Sequence, residues 1–237
     1  MAEFSLFPHQ ERTLKFLANK DATADLSDAG TAKTLPALLT AKNFLEDSGS
    51  RVLVISPKIL MRSAWGYEIE ERVSDLEFQI AEAPASNREE AFRSRSDIIM
   101  LNIDGAAWLA NLTPRQIRKY LGSKPMIIVD ESSMIKNPQA KRTKAVLKVA
   151  PMFTRRHIMS GTATPNSVVE AWAQYKLLDD GQRLGKRYTA YKNVMQVPIN
   201  MGRFTVWQDR PEASQILHGL VSDITILHSF DDVMKHV

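Results

Sequence analysis

An α/β fold, with a mostly parallel central sheet and helices on both faces, is what this sequence predicts. Three observations carry that expectation. The tetrads Val52–Ile55, Ile98–Leu101 and Met126–Val129 are apolar without alternation, as strands covered on both faces must be. Strand-like runs alternate with helix-like periodicity along the chain, the pattern of βαβ units. The third tetrad stops abruptly at Asp130-Glu131, and residues 27–34 read Ser-Asp-Ala-Gly-Thr-Ala-Lys-Thr before a helical pattern. Functional loops at strand ends are what such sheets carry.

In chain order, residues 10–19 predict a helix with apolar Leu14, Phe16, Leu17 and Ala18, and 24–26 a short strand. Residues 34–45 place Leu35, Leu38, Leu39 and Leu45 near one helical face, with Pro36 tolerated in the first turn. Strands are expected at 51–56, 78–81, 97–102 and 126–130. Residues 113–120 begin with a threonine cap and a proline at the first helical position. A strand at 157–160 precedes a helix at 166–178 that presents Val169, Trp172 and Leu177. Gly181, Gly185, Pro198, Gly202 and Pro211 mark 180–212 as a loop-rich insertion, and 224–227 reads as the last strand.

Composition narrows the function classes. The 237 residues are 44% hydrophobic and 24% charged, an ordinary globular balance for one large domain over 1–237. No apolar run approaches the ~20 residues of a membrane span, and Met1-Ala2-Glu3-Phe4 lacks the basic and apolar regions of a signal peptide. The absence of cysteine excludes disulfides and thiolate metal sites, so a cytoplasmic protein without membrane contact is expected. The five histidines show no ligand spacing. A net charge of +4 permits a polyanionic partner without requiring one.

The two loops together point to a nucleoside triphosphate with Mg²⁺, hence ATP. A loop with Gly30 and Lys33-Thr34 opening a helix offers backbone N–H groups and a cation to phosphates. Gly30, Thr31, Ala32, Lys33 and Thr34 are the candidate nucleotide-binding residues, with Lys33 on the β/γ-phosphates and the Thr34 hydroxyl on the metal. Asp130 is the second candidate metal ligand, through water, and Glu131 the candidate base for the attacking water. A third piece, residues 159–166, ends a strand in small hydroxylated residues and turns into a helix. There Ser160, Gly161 and Thr162 are the candidate coupling residues, since the Ser160 and Thr162 hydroxyls could hydrogen-bond the acidic pair and so sense the nucleotide state.

These motifs resemble the first RecA-like domain of superfamily 2 helicases and translocases, closest to the Swi/Snf-like branch in its bacteriophage form. Phe7-Pro8-His9-Gln10 looks like the glutamine motif, which makes Gln10 an adenine reader. Residues 27–34 resemble motif I, Ser56-Pro57-Lys58 with Trp65 and Glu68 motif Ia, and 101–104 motif Ib. Asp130-Glu131-Ser132-Ser133 with Ile135-Lys136-Asn137 is similar to motif II, and Ser160-Gly161-Thr162 with Pro165-Asn166 and Trp172 to motif III. Residues 177–186 look like phage members of the branch.

The resemblance implies a RecA-like P-loop domain that couples ATP hydrolysis to movement on DNA, or RNA, without sequence preference. It makes Lys58, Asn102 and Asp104 candidates for nucleic-acid contact, and Lys33, Asp130 and Glu131 the catalytic set. It also implies a second RecA-like domain, absent from these 237 residues and supplied in cis or trans, whose arginine completes the site. A monomer, nearly inactive alone, is expected. Ala32 departs from the usual glycine and predicts weakened nucleotide binding. The alternative is a nucleotide-insensitive nucleic-acid-binding or regulatory module derived from the same fold.

Overall fold

The computed structural model describes residues 5–161 and 167–235. Seven strands form one parallel sheet: β1 (Ala22–Asp25), β2 (Val52–Ile55), β3 (Phe78–Ala81), β4 (Ile98–Leu101), β5 (Met126–Val129), β6 (Arg155–Met159) and β9 (Thr225–Ile226). Their order is β3-β4-β2-β5-β6-β1-β9. A separate antiparallel hairpin pairs β7 (Gln196–Asn200) with β8 (Thr205–Asp209).

Every residue of β2, β4 and β5 is buried, because the period-2 alternation of a strand sends neighbours to opposite faces and both faces are covered. Val52, Val54, Ile98, Met100, Met126 and Ile128 form one core with Leu38 and Phe44 of the helix Thr34–Ser48 and with Trp65 and Ile69. Leu53, Ile55, Ile99, Leu101, Ile127 and Val129 form the other with Phe92, Leu109, Ile117, Val146 and Leu177.

All seven strands of the sheet lie within two residues of their expected positions. The first helix runs Pro8–Ala18, two residues earlier than its periodicity indicated, because Pro8 takes the first helical position and Gln10 Oε1 accepts from Phe7 N (3.0 Å). Strand β1 ends at Asp25 because its own Oδ1 accepts from Ser27 N (3.0 Å) and turns the chain. The helix Pro114–Leu121 has the expected cap: Thr113 Oγ1 accepts from Gln116 N (3.3 Å), and Gln116 Oε1 accepts from Thr113 N (2.9 Å). The helix expected at 166–178 is a 3₁₀ turn, Val168–Glu170, followed by Ala171–Asp179; Asn166 lies outside the described residues.

Residues 180–212 are not the loop-rich stretch their glycines and prolines suggested. They hold the helix Tyr188–Met195 and the β7–β8 hairpin. The entry turn is knitted by Asp179, whose carboxylate accepts from the N–H groups of Gly181 (2.8 Å), Gln182 (3.1 Å) and Arg183 (3.0 Å). Gly181 has φ +85° and a Cβ there would meet Gly185 O at 2.7 Å, so glycine is required. Helices Ala85–Arg93 and Ala213–Val221 carry no strong sequence signal and appear only in the structure. Among the described residues no helix is long and apolar enough to cross a membrane.

Candidate nucleotide site

The strand order places β5, β6 and β1 side by side, so the loops at their C-terminal ends meet. Backbone bonds carry the sheet into those loops: Asp130 N donates to Ile55 O (2.8 Å), Ser160 N to Asp25 O (3.0 Å) and Leu26 N to Ile226 O (3.0 Å). Residues 27–34, Asp130-Glu131 and Ser160-Gly161 thereby become one site at the ligand-binding edge of a parallel sheet. Gly161 is pressed on the first loop; a Cβ there would lie 3.2 Å from Ala29 Cβ.

The loop after β1 is held from three directions. His9 Nε2 donates to Thr31 O (2.9 Å) and Gln10 Nε2 to Ala32 O (3.1 Å), bracing it from the first helix. His228 N donates to Ser27 Oγ (2.9 Å) and Phe230 N to Asp28 Oδ2 (2.9 Å), bracing it from the segment after β9. Inside the loop, Lys33 Nζ donates to the carbonyl oxygens of Ser27 and Asp28, both at 2.7 Å. Burial lowers the Lys33 pKa, opposed by the surrounding negative charge of Asp25, Glu131, Asp130 and Asp28. Four carboxylates around one amine form a site that needs a cation to admit phosphate. The helix Thr34–Ser48 begins directly after Lys33, so its first N–H groups face the same loop.

Ala32 adopts φ +52°, the left-handed region. The sequence alone places Ala32 at a helix start, where a glycine costs backbone entropy. The structure reverses that: Ala32 lies before the helix, where an L-residue costs about 1–2 kcal/mol and glycine almost nothing. Ala32→Gly is therefore expected to leave the melting temperature unchanged or raise it, the larger unfolded-state entropy of glycine offsetting about 0.4–1 kcal/mol of the gain. It should also tighten binding of a fluorescent ATP analogue. Thermal denaturation with a parallel titration checks both; a clear loss of stability would show that the alanine conformation is unstrained.

Asp130 is buried and fixed. Its Oδ2 accepts from Trp65 Nε1 (2.9 Å) and Ser56 Oγ (3.1 Å), and its Oδ1 from Glu131 N (2.9 Å). Three donors leave one lone pair, on Oδ1, for a metal-bound water. Trp65 reaches it from a π-helical turn, Met61–Gly66, which carries the indole N–H to the residue after β5. Glu131 adopts φ +50°, so two of the three non-glycine residues with positive φ among those described, Ala32 and Glu131, belong to this site. Such strain concentrates at functional positions. The Glu131 pKa is raised by burial and by Asp130, against the Gly161 N–H and Lys33, which favour its charged form. A carboxylate with a raised pKa is better matched to accepting a proton near neutrality.

Residues 9–237 match the SNF2-related domain. The chain belongs to that family. It is 29% identical over 205 residues to protein p41 of Acyrthosiphon pisum secondary endosymbiont phage 1, covering 81% of this chain and 43% of that protein. It is 27% identical over 166 residues to the helicase-like transcription factor of Mus musculus, covering 66% of this chain and 16% of that protein. The Sulfolobus solfataricus SWI2/SNF2 ATPase core, solved in complex with dsDNA, superposes with a TM-score of 0.73 at 22% identity over 95% of this chain and 45% of its own. The chain thus spans less than half the length of each. Its fold is the RecA-like one that the motifs implied.

In this SNF2-related domain, Gln10, Gly30, Thr31, Ala32, Lys33, Thr34, Asp130, Glu131, Ser160 and Gly161 come together; Thr162 lies outside the described residues. Gln10 has both amide atoms engaged, with Ala32 O and Phe7 N, so its visible role is to shape the loop. Lys58, Asn102 and Asp104 sit apart from the loop, at the C-terminal ends of β2 and β4. Lys58 is exposed and pairs with Glu82 (3.2 Å), and Asn102 Oδ1 accepts from Gly105 N (3.2 Å) as a cap. Asp104 is exposed and, being an anion, is the poorest of the three as a phosphate contact. Sequence reasoning named Ser56 and Trp65 but not their hold on Asp130. It missed the braces from His9, His228 and Phe230 altogether. It also missed the link from motif II to the helix Ala171–Asp179, where Ser132 Oγ donates to Gln174 Oε1 (2.7 Å), beside the Lys136–Glu170 pair (3.0 Å).

Proposed function

We propose that this chain is the ATP-binding half of a DNA translocase or helicase. The observation that carries the reading is the meeting of the Lys33 loop, the Asp130-Glu131 pair and Ser160-Gly161 on neighbouring strands. Lys33 and the first N–H groups of the helix Thr34–Ser48 would hold the phosphates of ATP, and Thr34 and Asp130 would hold Mg²⁺. When bound, ATP supplies the γ-phosphoryl group and Mg²⁺ neutralises charge developing on it. Glu131 orients a water and accepts its proton, and Trp65 with Ser56 keeps Asp130 from rotating away. Gly161, itself part of motif III and touching both Glu131 and Ala29, would report the state of the loop to the end of β6.

Turnover on this reading needs an arginine from a second RecA-like domain, in cis or trans, worth on the order of 10³–10⁵ in rate. DNA is the proposed track, with family membership and the dsDNA complex of the Sulfolobus core in support. The cytoplasm is the proposed compartment. The 237-residue chain alone should bind nucleotide and release phosphate barely above background, with or without DNA, in a phosphate-release assay. Robust DNA-stimulated turnover would mean that the completing arginine lies within the chain or comes from self-association.

One observation favours a second reading, a nucleotide-insensitive module. The Lys33 amine is held by two carbonyl oxygens of its own loop, bonds that phosphate would have to displace. Titration with a fluorescent ATP analogue separates the two readings: saturable binding lost in Lys33→Ala supports the first, and no binding by the parent supports the second.

A further inference from the structure

We infer that the β7–β8 hairpin is a nucleic-acid contact of its own, an aromatic finger flanked by basic residues of the segments on either side, that takes an unstacked strand. The inference rests on the nucleic-acid reading above and adds a site that no helicase-type motif supplies. Its first support is charge. Residues 185–211 contain Lys186, Arg187, Lys192, Arg203 and Arg210 against the single acid Asp209, a net +4 that equals the excess of the entire chain. The remainder of the molecule carries no net charge, so this lobe holds an excess equal to that of the whole chain, as does the basic helix Lys141–Val149 elsewhere.

The second support is the surface the hairpin shows. Met201 (58% exposed) and Phe204 (62%) flank its tip, and Val206 (44%) and Trp207 (37%) follow along β8. Lys192 Nζ stands 3.9 Å from the centroid of the Trp207 ring, leaving an aromatic face beside a fixed cation. Aromatic side chains between cations bind single strands, because every base has a face to stack and every nucleotide a phosphate to pair. A protein-docking surface of this size would instead be depleted of charge at its centre.

The third support is rigidity at the base and at the tip. Asp209 accepts from Ser167 Oγ (2.7 Å), Val168 N (2.9 Å) and Gln196 Nε2 (2.7 Å), tying the root of the hairpin to the turn that opens the helix Ala171–Asp179. At the tip, Met201 N donates to Phe204 O (2.9 Å) and Gly202 N to Asn200 Oδ1 (2.9 Å), with Gly202 at φ +81°. An isolated two-stranded hairpin is marginal in water, so a surface this well anchored and this apolar is suited to being covered. Asp209 and Ser160 line one cleft, which puts the root of the finger at the same sheet edge as the nucleotide site.

The test uses the full chain with fluorescein-labelled single-stranded and duplex oligonucleotides, read by anisotropy across a salt series. Phe204→Ala should weaken single-strand binding roughly tenfold and duplex binding less, since a stacked base is lost. Arg203→Ala should lower the slope of log K against log salt by about 1, one phosphate contact. Both should bind a fluorescent ATP analogue as the parent does, which shows that they are folded. If both keep the parent's affinity and slope while Lys58→Ala weakens binding, the finger is overturned and the nucleic-acid reading stands. If the parent binds neither oligonucleotide, both fail. If the variants alter sedimentation but not oligonucleotide affinity, the hairpin is a protein-docking surface and the inference is wrong.

Discussion

Lys33→Ala is expected to abolish nucleotide binding, with the fold retained. The amine is the sole cation that the loop presents to phosphate, and it sits among Asp25, Asp28, Asp130 and Glu131. Removing it costs more than its own contacts. Charge-assisted hydrogen bonds are worth about 1.5–3 kcal/mol each, and the carboxylates left behind would repel the ligand without compensation. A loss of affinity of about 100-fold or more follows, since each 1.4 kcal/mol is about tenfold. The structure adds a cost that the sequence did not indicate: the two bonds from Nζ to Ser27 O and Asp28 O also disappear. A modest drop in melting temperature is therefore expected, limited because His9, Gln10, His228 and Phe230 still hold the loop. Titration with a fluorescent ATP analogue beside a thermal melt measures both. Parent-like affinity in a folded variant would rule out this loop as the phosphate site.

Glu131→Gln should bind nucleotide normally and stall hydrolysis by on the order of 10²–10⁴-fold in the protein completed by its second domain. The amide keeps the shape of the side chain and can still accept from the Gly161 N–H, but it cannot take a proton. Asp130, held by Trp65, Ser56 and the Glu131 backbone N–H, is untouched. The environment gives the parent a pH signature as well. Burial and the adjacent Asp130 raise the Glu131 pKa, so the base is protonated, and the rate falls, at a higher pH than an ordinary glutamate would produce. The acid limb of the rate profile should consequently lie above the usual glutamate range and be missing from the residual activity of the variant. Phosphate release under single-turnover conditions checks this, and an unchanged rate would remove Glu131 from the mechanism.

The candidate site was legible in its chemistry and illegible in its support. Lys33-Thr34 and Asp130-Glu131 declare themselves because each is a local pattern, a polar cluster at the end of an apolar strand. The residues that make them work are far off in the chain. Trp65 and Ser56 reach Asp130 across 65 and 74 positions, and His228 reaches Ser27 across 201. No periodicity marks such pairs, and a buried tryptophan reads as core until its indole N–H is traced to a carboxylate. The region 180–212 failed for a different reason. Glycine and proline read locally as signs of loop, whereas Gly181 serves a turn closed by Asp179, Gly202 forms a hairpin tip, and Pro198 lies in an exposed strand of an isolated hairpin, where its lack of an N–H deprives no further strand of a partner.

By itself the sequence determined the strands of the sheet, the caps and the reactive groups at the strand ends. Apolar runs, helical spacing and capping residues act over a few positions, and their physics is complete within the segment. The tertiary structure decided the rest. Only the order β5-β6-β1 brings three separate loops to one place, only the folded loop puts Ala32 at a positive φ where glycine would be at ease, and only packing reveals which distant donors immobilise Asp130. Strand order arises from competition among whole layers for burial, a property of the assembled chain that no single segment contains.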